Sequence, residues 1–148
     1  MEQANTLMKR FEFLIGDWTL EYKIPASKYS EAMTGTGSGT ISRQMDNKYV
    51  VFDYRAQVGD SPEVQAHAIF VWDSKLGMYR FWWFESSGNF NSAVCRFIND
   101  ETLIINWQDS LLIQTFQKTG PNTVLLKMKD PDADGNYVPV MEVLLTRK

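Results

Sequence analysis

Short segments of strand-forming sequence follow one another along almost the whole chain, with only a few residues between them. In the first segment Trp18, Leu20 and Tyr22 alternate with polar residues, which is the period of a half-buried strand, and Pro25 ends the run. The connections are too short for crossover helices, so neighbouring strands are predicted to pair antiparallel. About ten strands are predicted, over residues 18–24, 33–44, 49–57, 64–73, 78–85, 91–98, 102–108, 111–118, 123–129 and 137–146.

So many twisting strands in 148 residues are best accommodated by closing the sheet on itself. The predicted fold class is therefore all-β, a closed antiparallel up-and-down barrel forming one domain over residues 1–148. The exception is the N-terminal segment, where apolar residues recur at helical spacing between Leu7 and Leu14. Asn5 and Thr6 can cap it, which predicts a short helix or 3₁₀ turn over residues 5–13.

The second predicted strand carries glycine at every other position, at Gly35, Gly37 and Gly39, and hydroxyl side chains between them. Glycines repeated on one face leave room for a bulky group to lie against the backbone. If this strand forms a hairpin with the first, that group is predicted to be the apolar face that begins at Trp18.

Composition excludes several classes of function. The net charge is −3 and no stripe of Lys or Arg occurs, which argues against a nucleic-acid partner. The single cysteine, Cys95, allows no intramolecular disulfide and fits a reducing compartment. The sequence has neither a signal-peptide pattern at residues 1–15 nor an apolar run of membrane-spanning length, so we expect a cytoplasmic protein with no membrane partner.

Gly16, Asp17 and Trp18 form a G-x-W motif at the start of the first strand, and Arg147 stands at the end of the last. The motif resembles the opening of lipocalins and their calycin relatives. There the glycine permits a tight turn, and the tryptophan plugs the closed end of the barrel beneath an arginine from the last strand. The resemblance implies a structural plug of Gly16, Trp18 and Arg147, with a cation–π contact of about 0.5–2 kcal/mol.

Over its whole length the chain resembles a bacterial family of calycin-like domains of unknown function, related to the nitrobindin group. The glycine-rich second strand and residues 49–54, 70–73 and 79–88 carry this resemblance. Nitrobindin-like barrels bind haem through a histidine late in the chain, whereas the only histidine here is His67. Tyr137 or Met141 could ligate haem in principle, but no cofactor is expected. One histidine and one cysteine do not supply the usual zinc ligands.

A barrel of this size can hold one small molecule when side chains do not fill it. The leading hypothesis is therefore a protein that binds a small hydrophobic or amphipathic ligand in an aromatic-lined interior. Strand alternation leaves open whether Arg80 is an interior anchor or an exterior salt-bridge partner. It also leaves open whether four strand amides face the cavity or solvent, namely those of Asn91, Asn106, Gln108 and Gln114. The candidate ligand-binding residues are Tyr54, His67, Arg80, Trp83, Glu85 and Asn106.

Two other hypotheses remain open. His67 and Glu85 could act as an acid/base pair on a small hydrophobic substrate, provided that both reach one cavity. Alternation does not place them on the same face, and His67 fits equally well as a residue of the barrel wall, so we expect no catalytic pair. Residues 103–105 and 111–113 are apolar on both faces, which predicts an exposed apolar patch and a homodimer.

Overall fold

The computed structural model describes residues 6–27 and 30–148. In these residues, ten strands form a closed antiparallel barrel in which each strand pairs with its neighbours in sequence and the first pairs with the last. This confirms the predicted fold class. The strands are β1 (Gly16–Ile24), β2 (Met33–Gln44), β3 (Tyr49–Val58), β4 (Val64–Asp73), β5 (Met78–Glu85), β6 (Phe90–Asn99), β7 (Thr102–Trp107), β8 (Ile113–Gly120), β9 (Thr123–Pro131) and β10 (Tyr137–Arg147).

The N-terminal segment is helical, as predicted, with a turn at residues 6–8 continuing into a 3₁₀ helix over Lys9–Leu14. Met8, Phe11 and Leu14 are fully buried, so the helical spacing of apolar residues does mark the face that packs on the barrel. The proposed cap at Asn5 lies outside the described residues. No helix in the described ranges is long and apolar enough to cross a membrane.

The helix covers one end of the barrel, which we call the closed end. Phe11 packs among aromatic rings from three strands, with ring centroids 5.0–5.3 Å from those of Phe70, Tyr79 and Phe97. The Tyr79 hydroxyl donates a hydrogen bond of 2.8 Å to the Leu7 carbonyl. These contacts bury the rings and hold the helix across the strand ends.

Trp18 lies fully buried beside this helix, and its indole N–H donates to the Leu14 carbonyl at 2.8 Å. Trp18 and Arg147 are directly paired between β1 and β10, and the Arg147 guanidinium carbon lies 4.3 Å from the centre of the indole. The guanidinium also donates to the carbonyls of Ile15 and Phe13. We call this arrangement of Trp18 and Arg147 the plug.

The glycine face of β2 is paired with the apolar face of β1, with Trp18 opposite Gly39, and this confirms the predicted hairpin. Gly39 lies between Trp18 of β1 and Tyr54 of β3, and because it has no side chain it leaves the space between these two residues free. The backbone of β2 can therefore lie close against large side chains from both neighbours.

Candidate functional site

The barrel interior contains a cavity of about 430 Å³, within the range of sites that hold small molecules. Inward-facing side chains of β1 and of β3 to β10 line it, and most of them are apolar. Leu20, Phe81, Phe116 and Leu126 represent this apolar wall. The helix and the Trp18 plug cover the barrel at one end, so access to the cavity is from the other end, which we call the mouth.

A cluster of polar side chains lies on the cavity wall toward the mouth. Trp83 donates its indole N–H to the Tyr54 hydroxyl at 2.9 Å, and Glu85 is the next inward-facing residue of β5. Tyr22 of β1 lines the same cavity, and both tyrosines interact electrostatically with Glu85. Burial raises the pKa of Tyr22 and of Tyr54, and the Glu85 charge raises it further. Both phenols are therefore protonated hydrogen-bonding groups at neutral pH.

A second polar group lies on the wall formed by β7 and β8. Gln114 is only 4% exposed, and its side-chain oxygen accepts a hydrogen bond of 3.2 Å from the Trp107 indole. The Trp107 and Trp83 rings meet edge to face with centroids 6.5 Å apart. The two indoles are thus fixed in orientation, each by a polar partner, while their rings face the cavity.

Three of the six candidate ligand-binding residues, Tyr54, Trp83 and Glu85, line this cavity. Sequence reasoning did not select Tyr22, and it considered Gln114 only as one of four strand amides that could face either the cavity or solvent. The alternation of β1 places Tyr22 on the same inward face as Trp18, so a signal for it was present. Gln114 faces inward because it lies two residues before Phe116 in β8, so the two side chains are on the same, buried face of the strand.

The structure corrects the lining prediction for His67, Arg80 and Asn106, which lie on the outer face of the barrel. His67 alternates with buried Ala66 and Ala68, and its Nδ1 contacts the Asp53 carboxylate at the surface.

Arg80 lies 3.5 Å from the Asp73 carboxylate and 4.8 Å from the centre of the Trp82 ring, both outside the cavity. Asn106 is exposed, and it is next to the buried Ile105 in β7, so the two side chains point to opposite faces of the strand. In each case an inward residue precedes or follows the candidate, so strand alternation sends its side chain outward.

Acid/base chemistry by His67 and Glu85 has no geometric support, since the first is on the outer face and the second lines the cavity. Cys95 is buried in the wall, and burial raises the pKa of its thiol, which is opposite to the shift of a reactive cysteine. In the described part of the chain no cluster of three or more His, Cys, Asp or Glu could hold a metal ion.

The residues present do not fit the haem that the nitrobindin resemblance implies. The sole imidazole, that of His67, is on the outer face and cannot reach an iron in the cavity. The Tyr137 hydroxyl donates to the Leu111 carbonyl at 3.0 Å, outside the cavity wall. Met141 does line the cavity, but a thioether serves haem proteins mainly as a partner to a histidine ligand.

We therefore expect that haemin added to the purified protein will give no sharp Soret band of a six-coordinate or histidine-ligated haem. The measurement is an absorbance titration at one equivalent per chain, repeated with Met141→Leu. A Soret band that develops at one haem per chain and disappears in the Met141→Leu variant would contradict this prediction.

The chain matches no protein family and no curated protein. Its fold is similar to that of several solved structures, all of them below 25% sequence identity. The S-type phycobiliprotein lyase CPES from Guillardia theta has a TM-score of 0.67 at 8% identity, covering 99% of this chain and 96% of that one. Rv2717c from M. tuberculosis has a TM-score of 0.68 at 8% identity, covering 98% and 97%.

Designed barrels are also similar. A redesigned beta barrel, mFAP0, bound to DFHBI, has a TM-score of 0.51 at 8% identity and covers 91% of this chain and 99% of that one. These likenesses concern the fold, because the identities are too low to carry more. The chain is thus a closed ten-stranded antiparallel barrel, with its cavity open at the end opposite the tryptophan plug.

Proposed function

We propose that the protein binds one small, largely apolar molecule inside the barrel. The observation that carries the proposal is the cavity of about 430 Å³, which is closed at one end and walled by aromatic and aliphatic side chains with a few fixed polar groups. This combination is typical of small-molecule sites, where apolar area supplies affinity and polar groups orient the ligand. The redesigned barrel mFAP0, whose structure holds DFHBI, is consistent with this use of the fold.

The test uses N-phenyl-1-naphthylamine, a neutral dye that becomes fluorescent in apolar surroundings. We expect saturable binding with one dye per chain, counted by native mass spectrometry. Ala68→Phe is expected to weaken binding at least about tenfold, a loss of 1.4 kcal/mol. Ala68 is a buried residue of the cavity wall, between Phe52 and Trp83 on the neighbouring strands, so the added ring enters the space of the ligand.

The matched control is Ile69→Phe, which adds a ring at the next position of β4 on the outer face. This variant should bind the dye as the unaltered protein does. Circular dichroism reports whether each variant keeps its β structure, and Ala56→Leu, at another buried lining position, provides a second test. Equal binding by the unaltered protein and by both cavity variants would refute the proposed site.

Self-association and a cytoplasmic location stay predictions. Phe84 and Phe90 pair across β5 and β6 on the outer face, 43% and 75% exposed, and Leu111 is 72% exposed in the loop before β8. These exposed apolar groups support the homodimer hypothesis more directly than residues 103–105, whose Leu103 and Ile105 are buried. Light scattering during size-exclusion chromatography measures the oligomeric state.

A further inference from the structure

The charges on the cavity wall restrict the chemistry of the ligand. Among the described residues that line the cavity, Glu85 is the one side chain that carries a carboxylate, and none is Lys, Arg or His. An anionic ligand would therefore bury its charge without a counter-ion and next to a like charge, which is costly. A cationic ligand would find a carboxylate already in place.

The hydrogen bonds around Glu85 leave it able to receive a ligand. One carboxylate oxygen accepts a hydrogen bond of 2.5 Å from the Ser87 hydroxyl, and a carboxylate can accept several more. The Tyr54 oxygen already accepts the Trp83 N–H, and a phenolic oxygen has a second acceptor site. A protonated amine carries up to three N–H donors and no acceptor, so it matches a group of acceptors of this kind.

Aromatic rings add to the same preference. Trp83, Trp107 and Phe81 face the cavity, and the Phe81 and Trp107 rings are 5.4 Å apart. The face of an aromatic ring attracts a cation, with a gain of about 0.5–2 kcal/mol that grows as water is removed. The same rings pack against the apolar body of a ligand.

The loops at the mouth have the same sign of charge as Glu85. Because the strands run up and down, residues 25–27, 30–32, 59–63, 86–89, 108–112 and 132–136 all lie at this end.

In their described part these loops contain six carboxylates and no basic side chain, while Lys28 is outside the described residues. Of the six, Glu63 has a cationic partner, Arg55 at 3.6 Å. Such a rim concentrates cations and repels anions at the opening. The six are Glu31, Asp60, Glu63, Asp109, Asp132 and Asp134.

We propose that the cavity selects organic cations, in the form of an aromatic or similarly apolar body that carries one protonated amine held by Glu85, Tyr22 and Tyr54. This inference rests on the proposed function and narrows it to one ligand class. The apolar body occupies the region between Phe81, Trp107 and the aliphatic wall, and the ammonium group lies toward the mouth. Fatty acids and other anionic amphiphiles are excluded as preferred ligands.

The experiment compares three probes of nearly the same shape by isothermal titration calorimetry at pH 7. They are 1-naphthylmethylamine, which is cationic, 1-naphthalenemethanol, which is neutral, and 1-naphthoate, which is anionic. We expect the amine to bind about tenfold more tightly than the alcohol, a difference of 1.4 kcal/mol, and the carboxylate to bind least. Raising the salt concentration should weaken binding of the amine and leave that of the alcohol unchanged.

Glu85→Gln keeps the shape of the side chain and removes its charge. In this variant the amine is expected to bind about tenfold less tightly and so to lose its advantage over the alcohol, whose saturable binding shows that the cavity is intact. Asp53→Asn is the matched control, since Asp53 is a carboxylate on the outer face beside His67. It should leave all three affinities as they are.

The two proposals fail in different ways. If neither the probes nor N-phenyl-1-naphthylamine binds, the proposed function itself is wrong. If the alcohol or the carboxylate binds as tightly as the amine, or if Glu85→Gln leaves the preference unaltered, the barrel binds small molecules but does not select cations.

Discussion

Replacing Trp18 with alanine is expected to lower the free energy of unfolding by about 3–5 kcal/mol, the range for a large buried aromatic side chain. Trp18 is fully buried, so the substitution leaves a cavity between the helix and the strands. It also removes the hydrogen bond to the Leu14 carbonyl and the surface on which Arg147 lies. Urea denaturation followed by circular dichroism measures the loss.

Trp82→Ala is a control matched in residue type and in partner. Trp82 also has an arginine over its ring, Arg80 at 4.8 Å, but it lies half-buried on the outer face of the barrel. Its removal opens no enclosed cavity, so the expected loss is less than half of that at Trp18. Equal losses for the two variants would show that the plug has no special part in stability.

Arg147→Ala separates the ring contact from the burial of Trp18. The guanidinium bonds the carbonyls of Ile15 and Phe13 and lies over the indole, so a smaller destabilisation than that of Trp18→Ala is expected. Lysine at this position keeps the charge but cannot repeat the flat, forked contact. Rescue by Arg147→Lys would mean that charge alone holds the plug.

The barrel could be predicted because its determinants are local in the sequence. Alternation in β1 selects the face of Trp18, and the glycine face of β2 matches it residue by residue. Short loops then impose antiparallel pairing from strand to strand, which leaves β10 as the remaining neighbour of β1. The pairing of Trp18 with Arg147 follows from these rules, although their positions are at opposite ends of the chain.

The cavity wall was predicted less well because some strands are apolar on both faces. In β5, Phe81 and Trp83 face inward while Trp82 and Phe84 face outward, and each face also carries one charged residue, Glu85 inside and Arg80 outside. The inward face is then chosen by the register with β4 and β6, which depends on contacts between strands. A one-residue slip exchanges the two faces, so composition alone cannot identify the lining residues.

Asn106 is a different kind of error. It lies between Ile105, which is buried, and Trp107, which lines the cavity, so alternation already indicated an outward side chain. It was selected because buried amides often orient ligands, and Gln114 of the next strand has that inward position instead. An amide side chain does lie in the cavity wall, but the position of each amide on its strand decides whether it faces the cavity or solvent.

Replacing Gly39 with valine is expected to destabilise the barrel by about 3 kcal/mol or more, at the upper end of the range for overpacked sites. A Cβ atom at Gly39 would lie 2.6 Å from the Tyr54 Cβ, 2.7 Å from the Phe52 ring and 2.8 Å from the Asp53 carbonyl oxygen. The Asp53 carbonyl oxygen is a backbone atom of β3, and the Tyr54 Cβ is bonded directly to that backbone. They can move only if the strand moves, and β3 is paired on both sides.

Comparing the destabilisation by Gly39→Val with that by Ser38→Val separates the effect of packing from that of strand propensity. Ser38 is the preceding residue of β2 and is exposed on the outer face, where a β-branched side chain favours the strand. Ser38→Val is therefore expected to be neutral or slightly stabilising in urea denaturation, although both variants introduce valine.

Because Gly39 also pairs with Trp18, the double variant Gly39→Val with Trp18→Ala should lose less stability than the sum of the two single variants. Full additivity, or a Gly39→Val protein as stable as the original, would show that β2 does not need its glycine face to lie against its neighbours.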